Sequence, residues 1–151
     1  MKFLALVIII FSCQVSIGLI AQNSNLPSKV AQAFNKKYVS AENIQWDKTD
    51  SSFEATFNRG DAYYLAIYKP NGLWVETTKT IYENKLSAIH KKNIYAKYPK
   101  GSIFNIIYFE NNKNSNYYLI TVELSNLSYI LKMNDIGDIL KVDTIQNSRS
   151  Y

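Results

Sequence analysis

Leu26-Pro27-Ser28-Lys29-Val30-Ala31-Gln32-Ala33-Phe34-Asn35-Lys36-Lys37-Tyr38, followed by Asn43-Ile44-Gln45-Trp46-Asp47, is the stretch that decides the fold. Leu26, Val30, Phe34 and Tyr38 recur at every fourth position, so they share one helical face. Asn25 and Ser28 offer capping oxygens, and Pro27 suits a first turn, where its missing N–H costs nothing. Beyond Tyr38 the spacing shortens to the two-residue period of a strand.

Sixty residues further on the same order begins again, with Leu86-Ser87-Ala88-Ile89-His90-Lys91-Lys92-Asn93-Ile94-Tyr95-Ala96-Lys97-Tyr98. Pro99 ends it, because the residue before a proline avoids the helical region. In this register Leu26, Lys37 and Tyr38 meet Leu86, Lys97 and Tyr98, and Val30 meets His90. Each helix is followed by strand-like runs. The first set is 43–47, Ser52–Asn58, Tyr63–Tyr68 and Trp74–Thr78, with a turn at Arg59-Gly60-Asp61 and a tight one at Pro70-Asn71-Gly72. Asn-Gly between alternating apolar runs is a hairpin signal, since both residues tolerate positive φ. The second set is Ile103–Phe109, Tyr117–Leu124, Ser128–Met133 and Ile139–Val142, with turns at Asn111–Asn114 and Asn134–Gly137. Gly72 and Gly137 stand 65 apart, so the second set carries about five extra residues, placed in its longer hairpin.

A unit of about sixty residues buries too little surface to be stable alone, so the two copies are expected to pack together. The reading is therefore an α+β protein of two tandem helix-plus-four-stranded antiparallel units, with both helices on one sheet face. A leader occupies 1–21, the first unit 22–80, the second 81–146, and a frayed polar tail Asn147–Tyr151.

The leader is read from Lys2, the apolar run Phe3–Phe11, a weaker stretch ending Gly18-Leu19-Ile20-Ala21, and the small Ala21 before Gln22. One cation, an apolar run and a small residue make a secretory signal with cleavage after Ala21, and a periplasmic or secreted product. Two alternatives remain: a retained anchor, and a lipoprotein modified at Cys13, where Ile10-Phe11-Ser12-Cys13 faintly resembles a lipobox. Cys13 is the only cysteine. Its removal leaves a chain without thiols, which excludes disulfides, thiol nucleophiles and cysteine-ligated metals.

Leu26-Pro27, the helix ending Lys36-Lys37-Tyr38, Asn43-Ile44-Gln45-Trp46, Phe53-Glu54-Ala55-Thr56-Phe57 and Asn71-Gly72-Leu73-Trp74-Val75-Glu76-Thr77 together resemble the PepSY-like group of exported bacterial proteins, related in shape to the beta-lactamase inhibitor protein. The second copy keeps Lys97-Tyr98-Pro99 and Asp138-Ile139-Leu140-Lys141-Val142. The chain departs from the pattern at Val39, where a proline is usual, and in the second copy, which has no tryptophan. The resemblance implies a helix-then-four-strand unit, an envelope location, and binding or inhibition of another protein. It implies no catalytic residues.

Chemistry-bearing groups are few. With Lys2 removed, 16 basic residues face 12 acidic ones without a concentrated basic stretch, which argues against a nucleic-acid partner. His90 is the sole histidine and falls on the sheet-facing stripe, so it reads as a packing residue, and no His-rich metal site can form. Asp135 and Asp138 flank Gly137 but supply too few oxygens for a calcium loop, and read as a turn. No Gly-x-Ser-x-Gly elbow or phosphate loop is present, and neither an enzymatic activity nor a cofactor is expected.

Aromatics carry more information, because strand alternation divides them between two faces. Phe53, Ala55, Phe57, Tyr64, Ala66 and Tyr68 form the helix-facing set of the first copy, and Tyr118, Ile120, Val122, Tyr129, Leu131 and Met133 that of the second. The opposite, open face then shows Tyr63, Leu65, Ile67, Tyr117 and Leu119, joined by Trp74, as the candidate binding surface. Rigid aromatics on an uncovered sheet suit protein recognition. The leading expectation is an exported non-enzymatic module that binds, and inhibits or regulates, an envelope protein through that face. The alternatives are a small-ligand carrier or sensor, with an apolar or aromatic molecule held in the cleft between the copies, and a structural protein that self-associates through strand edges.

Overall fold

A computed structural model of the chain describes residues 26–146. The leader 1–21 with Cys13 and the cleavage point after Ala21, the capping residue Asn25 and the tail Asn147–Tyr151 lie outside the described residues. Helix α1 (Ser28–Lys37) precedes strands β1 (Glu42–Lys48), β2 (Phe53–Arg59), β3 (Ala62–Tyr68) and β4 (Trp74–Thr80). A 3-10 turn at Glu83–Lys85 leads to α2 (Ala88–Lys97) and then β5 (Ser102–Asn111), β6 (Tyr117–Leu124), β7 (Leu127–Met133) and β8 (Ile139–Gln146). All eight strands form one antiparallel sheet in chain order. The sheet runs unbroken across residue 80: β4 pairs with β5 from Glu76↔Asn111 to Thr80↔Ile107.

Both helices lie on the same side. Directly opposed residues of an antiparallel pair share a face, and Ala55, Ala66, Thr77 and Glu110 form one such row from β2 to β5. Two and four residues before Glu110 along β5, Tyr108 and Ile106 share this face, and Ile106 continues it through Ile120, Leu131 and Val142. Val30 and Phe34 of α1 bury against Phe53, Ala55, Phe57, Ala66 and Tyr68. Ile94 of α2 buries against Ile106, Ile120, Val122, Leu131 and Met133. Phe34 is the centre of the first cluster, with its ring 5.0 Å from Phe57 and 5.1 Å from Trp46, both edge-on. Edge-to-face contacts add to the area term, and truncation of such a ring costs about 3–5 kcal/mol.

The helix starts differ from the expected ones. Pro27 is the residue before the first helical one and caps α1 without a side-chain hydrogen bond. In α2 the side chain of Ser87 caps by accepting from the backbone N–H of His90. The turn glycines hold the helices down. Gly72 has φ +89°, and a Cβ there would stand 2.8 Å from the Lys29 carbonyl oxygen; Gly137 has φ +92° and faces Ile89. Lys29 and Ile89 are equivalent in the sixty-residue register, so each strand-to-strand turn meets the first turn of its helix. Four of the five extra residues of the second set fall in the β5–β6 hairpin: β1 and β5 start sixty residues apart, β2 and β6 sixty-four, β3 and β7 sixty-five, and β4 and β8 sixty-five.

Beneath α1, the hydroxyls of Tyr38 and Thr77 hydrogen-bond, and Thr77 also accepts from the Trp74 indole at 2.8 Å. The Tyr68 hydroxyl is buried without a partner among the described residues. A hydroxyl without a partner contributes nothing to offset its desolvation, whereas a satisfied one contributes about 1 kcal/mol. Tyr68→Phe is therefore expected to leave the unfolding midpoint unchanged or raise it, and Tyr38→Phe to lower stability by about 1 kcal/mol. Scanning calorimetry of the two variants checks this, and a larger fall for Tyr68→Phe would contradict it. Burial, with the Glu110 carboxylate nearby, pushes the Tyr38 phenol up to about 12, and burial with Asp135 does the same for Tyr108. Phenols whose folded pKa is raised give stability that is intact below pH about 10 and is lost as pH climbs towards about 12. An alkaline titration should show a late rise in phenolate absorbance that coincides with loss of near-ultraviolet dichroism. A single step near pH 10 with the fold intact would contradict this.

Candidate functional site

The candidate surface is the sheet face opposite the helices. In β3, Leu65 and Ile67 alternate with buried Ala66 and Tyr68; in β6, Tyr117 and Leu119 alternate with helix-facing Tyr118 and Ile120. Pairing brings these four together. Leu65 opposes Thr56 on one side and Thr78 on the other, Thr78 opposes Phe109, and Phe109 opposes Tyr117. Leu65 and Tyr117 are thus three strand spacings apart in one row, roughly 14 Å. A second row runs Thr80, Ile107, Leu119, Lys132 and Lys141. A third carries Glu54, Ile67, Glu76 and Asn111. Tyr63 sits at the end of β3 opposite Asn58 and is 53% exposed. No described element covers this face.

Trp74 is not part of it. Tyr68 opposes Trp74 while its neighbour Ile67 opposes Glu76, so a bulge in β4 sets one extra residue between them. That bulge reverses the alternation and turns Trp74 onto the helix side. There it packs on the α1 cluster, donates to Thr77, and carries the Lys37 ammonium 3.7 Å from its ring centre.

Phe109 takes the place that Trp74 was expected to fill. Its ring lies parallel to that of Tyr117, at 7° and 4.6 Å between centres. The Lys132 ammonium stands 3.8 Å above Tyr117. Partial burial, with Glu76 as a nearby negative charge, raises the Tyr117 phenol above its ordinary range. Lys132, Tyr117 and Phe109 thus form a pre-stacked ridge between threonines, an acid and two isoleucines. Such a ridge offers rigid apolar area with hydrogen-bonding groups at its margin, and orders few side chains on binding. The sequence signal for Phe109 was its two-residue spacing from Ile107, obscured by a bulge nearer the start of β5 between Ile103 and Asn105.

The groups weighed for chemistry are engaged elsewhere. His90 is 1% exposed, with Nε2 at 2.9 Å from the Asn134 carbonyl and Nδ1 at 2.6 Å from the Ser87 hydroxyl. The carbonyl requires a donor, so Nε2 carries the proton and Nδ1 accepts from Ser87. The ring also packs edge-on against Tyr118, which makes it a core residue. The Asn134–Asp138 segment is a closed turn: Asn134 N–H donates to the Asp138 carbonyl at 3.1 Å, and Gly137 N–H to the Asn134 carbonyl at 3.1 Å. Among the described residues, no three His, Cys, Asp or Glu side chains gather into a metal-binding group. Nor is any described helix long and apolar enough to cross a membrane.

No family model matches the chain, and no curated protein sequence does. Solved structures do. A BLIP-like protein from Bacteroides fragilis superposes with a TM-score of 0.70 at 19% identity, over 83% of this chain and 91% of that one. A DUF2874 family protein from Bacteroides ovatus gives 0.69 at 21% identity, over 78% and 86%. A protein of Bacteroides eggerthii, described as a candidate periplasmic protein, gives 0.69 at 19% identity, over 82% and 91%. At these identities the likeness carries the fold alone, and it establishes that the chain has a BLIP-like fold.

Proposed function

We propose that this chain is an exported, non-enzymatic binding module that holds a protein of the cell envelope across its open sheet face, and inhibits or regulates it. The observation that supports this most is the Phe109–Tyr117 stack, continuous through pairing with Leu65, Ile107 and Leu119, on a face no described element covers. Contiguous apolar area rimmed by Glu54, Glu76, Lys132 and threonines is the composition of a protein-recognition surface. Tyr63, Leu65, Ile67, Tyr117 and Leu119 are its contact residues, with Phe109 added. The likeness to a BLIP-like protein points the same way.

On this reading the chain is two PepSY-like units, 22–80 and 81–146, fused edge to edge so that their open faces make one surface wide enough for a folded partner. The leader 1–21, cleaved after Ala21, delivers it to the periplasm or beyond, and a lipid on Cys13 is the alternative tether. Neither nucleic acid nor a cofactor belongs to the reading.

Immobilised residues 22–151 should retain one envelope protein from an extract, identified by mass spectrometry. The Tyr63→Ala/Tyr117→Ala variant, shown folded by circular dichroism, should lose it, since a central aromatic anchor contributes about 2 kcal/mol or more to such a contact. Retention of the same set of proteins by both would remove the open face as the binding site.

A further inference from the structure

The helix side of the sheet holds a second feature, independent of the open face. One cross-strand row there reads Tyr64, Lys79, Tyr108 and Tyr118, each directly opposed to the next from β3 to β6. It lies between the apolar cluster under α1 and the one under α2, in the region where the two halves of the sheet join. Lys79 is the one charged residue in this row, whose other members from Phe57 to Met133 are apolar or aromatic. Phe57 precedes the row and Met133 ends it.

Two adjoining cavities of about 260 and 360 Å³ open above this row and share Tyr64 and Lys79. The first adds Arg59, Thr77 and the Lys37–Glu110 pair to its walls, and the second adds Asp61, Tyr82 and Lys85. Lys37 is committed, at 2.9 Å from Glu110. Arg59, Lys79 and Lys85 have no carboxylate partner among the described residues. Lys79 instead points its ammonium at the Tyr108 ring, 4.9 Å from the centre. Lys37, Arg59, Lys79 and Lys85 thus outnumber the Glu110 and Asp61 carboxylates along the groove, with Asp135 beside Tyr108, and this net positive charge stands over a floor of aromatic faces. Walls of low dielectric focus that charge on whatever enters. The combined space suits a small molecule rather than a macromolecular segment. A wholly apolar ligand would strand the ammonium and the guanidinium, and a simple inorganic anion would leave the tyrosine faces unused.

We propose that this groove binds a small aromatic carboxylate, its carboxylate held between Lys79 and Arg59 and its ring laid on the faces of Tyr64 and Tyr108. Arg59 presents a planar fork that matches a carboxylate, and Lys79 a point charge beside it. The ligand sits on the side of the sheet away from the protein-binding ridge, so loss of one function leaves the other intact.

Calorimetric titration of residues 22–151 with naphthoate, beside naphthalenemethanol of the same shape without the charge, tests this. Saturable one-site binding of naphthoate is expected, weaker for the alcohol, and weakened about tenfold by Lys79→Gln, the loss of one charge-assisted contact. Arg59→Gln, at the exposed rim and without a packing role, should weaken it similarly and serves if Lys79→Gln fails to fold. Tyr63→Ala/Tyr117→Ala should bind naphthoate as the native chain does. No saturable binding, equal binding of the alcohol, or native affinity in the folded lysine and arginine variants would overturn the proposal.

Discussion

The pairing of β4 with β5 is the interaction on which the rest of this structure depends. The other neighbouring strands are joined by short turns and would find each other locally, whereas β4 and β5 are separated by the 3-10 turn and α2. Their contact is secured on several levels. Main-chain pairing runs from Glu76 to Thr80, extended by Ile81 N–H to the Ile106 carbonyl at one end and Asn112 N–H to the Val75 carbonyl at the other. On the helix side Lys37 reaches from α1 across to Glu110 of β5, with its ammonium over the Trp74 ring. On the other side Thr78 sits against Phe109. Removing this seam would leave two four-stranded layers, each with a newly exposed edge and half a surface.

The two faces follow from that join. Each helix covers the centre of its own strands, so the seam itself is left open on the helix side, and the groove lined by Tyr64, Lys79 and Tyr108 lies there. On the opposite side the seam places Leu65 from the first half and Tyr117 from the second in one row. Neither surface exists in either half alone. Both surfaces are thus lined by residues that meet at the β4–β5 junction rather than within either half of the sheet.

Much of this was legible in the sequence, and the failures have common physical causes. The fourfold spacing of Val30, Phe34 and Tyr38, and of His90, Ile94 and Tyr98, marks the buried stripes of both helices, because helix contacts are local. Alternation places β2, β3, β6 and β7 on their faces, because these strands pair without irregularity over most of their length. It fails at Trp74, where a bulge reverses the side-chain direction without any change in residue type that announces it. The Lys79 row was invisible for a different reason. It is made of single residues from four strands, and only the pairing register, which is non-local at β4–β5, sets them side by side. Ser87 is hidden as a cap because Leu86 begins the apolar period two residues before the helix begins.

The most direct measurement of the central claim, that the two halves form one sheet, is amide hydrogen exchange across the join. Peptides spanning 76–80 and 106–111 should be protected to the same degree as those of the β2–β3 and β6–β7 hairpins, and should lose protection together with them. Rapid exchange confined to these two peptides, while the hairpins stay protected, would contradict a continuous sheet, and with it both surfaces that the seam creates.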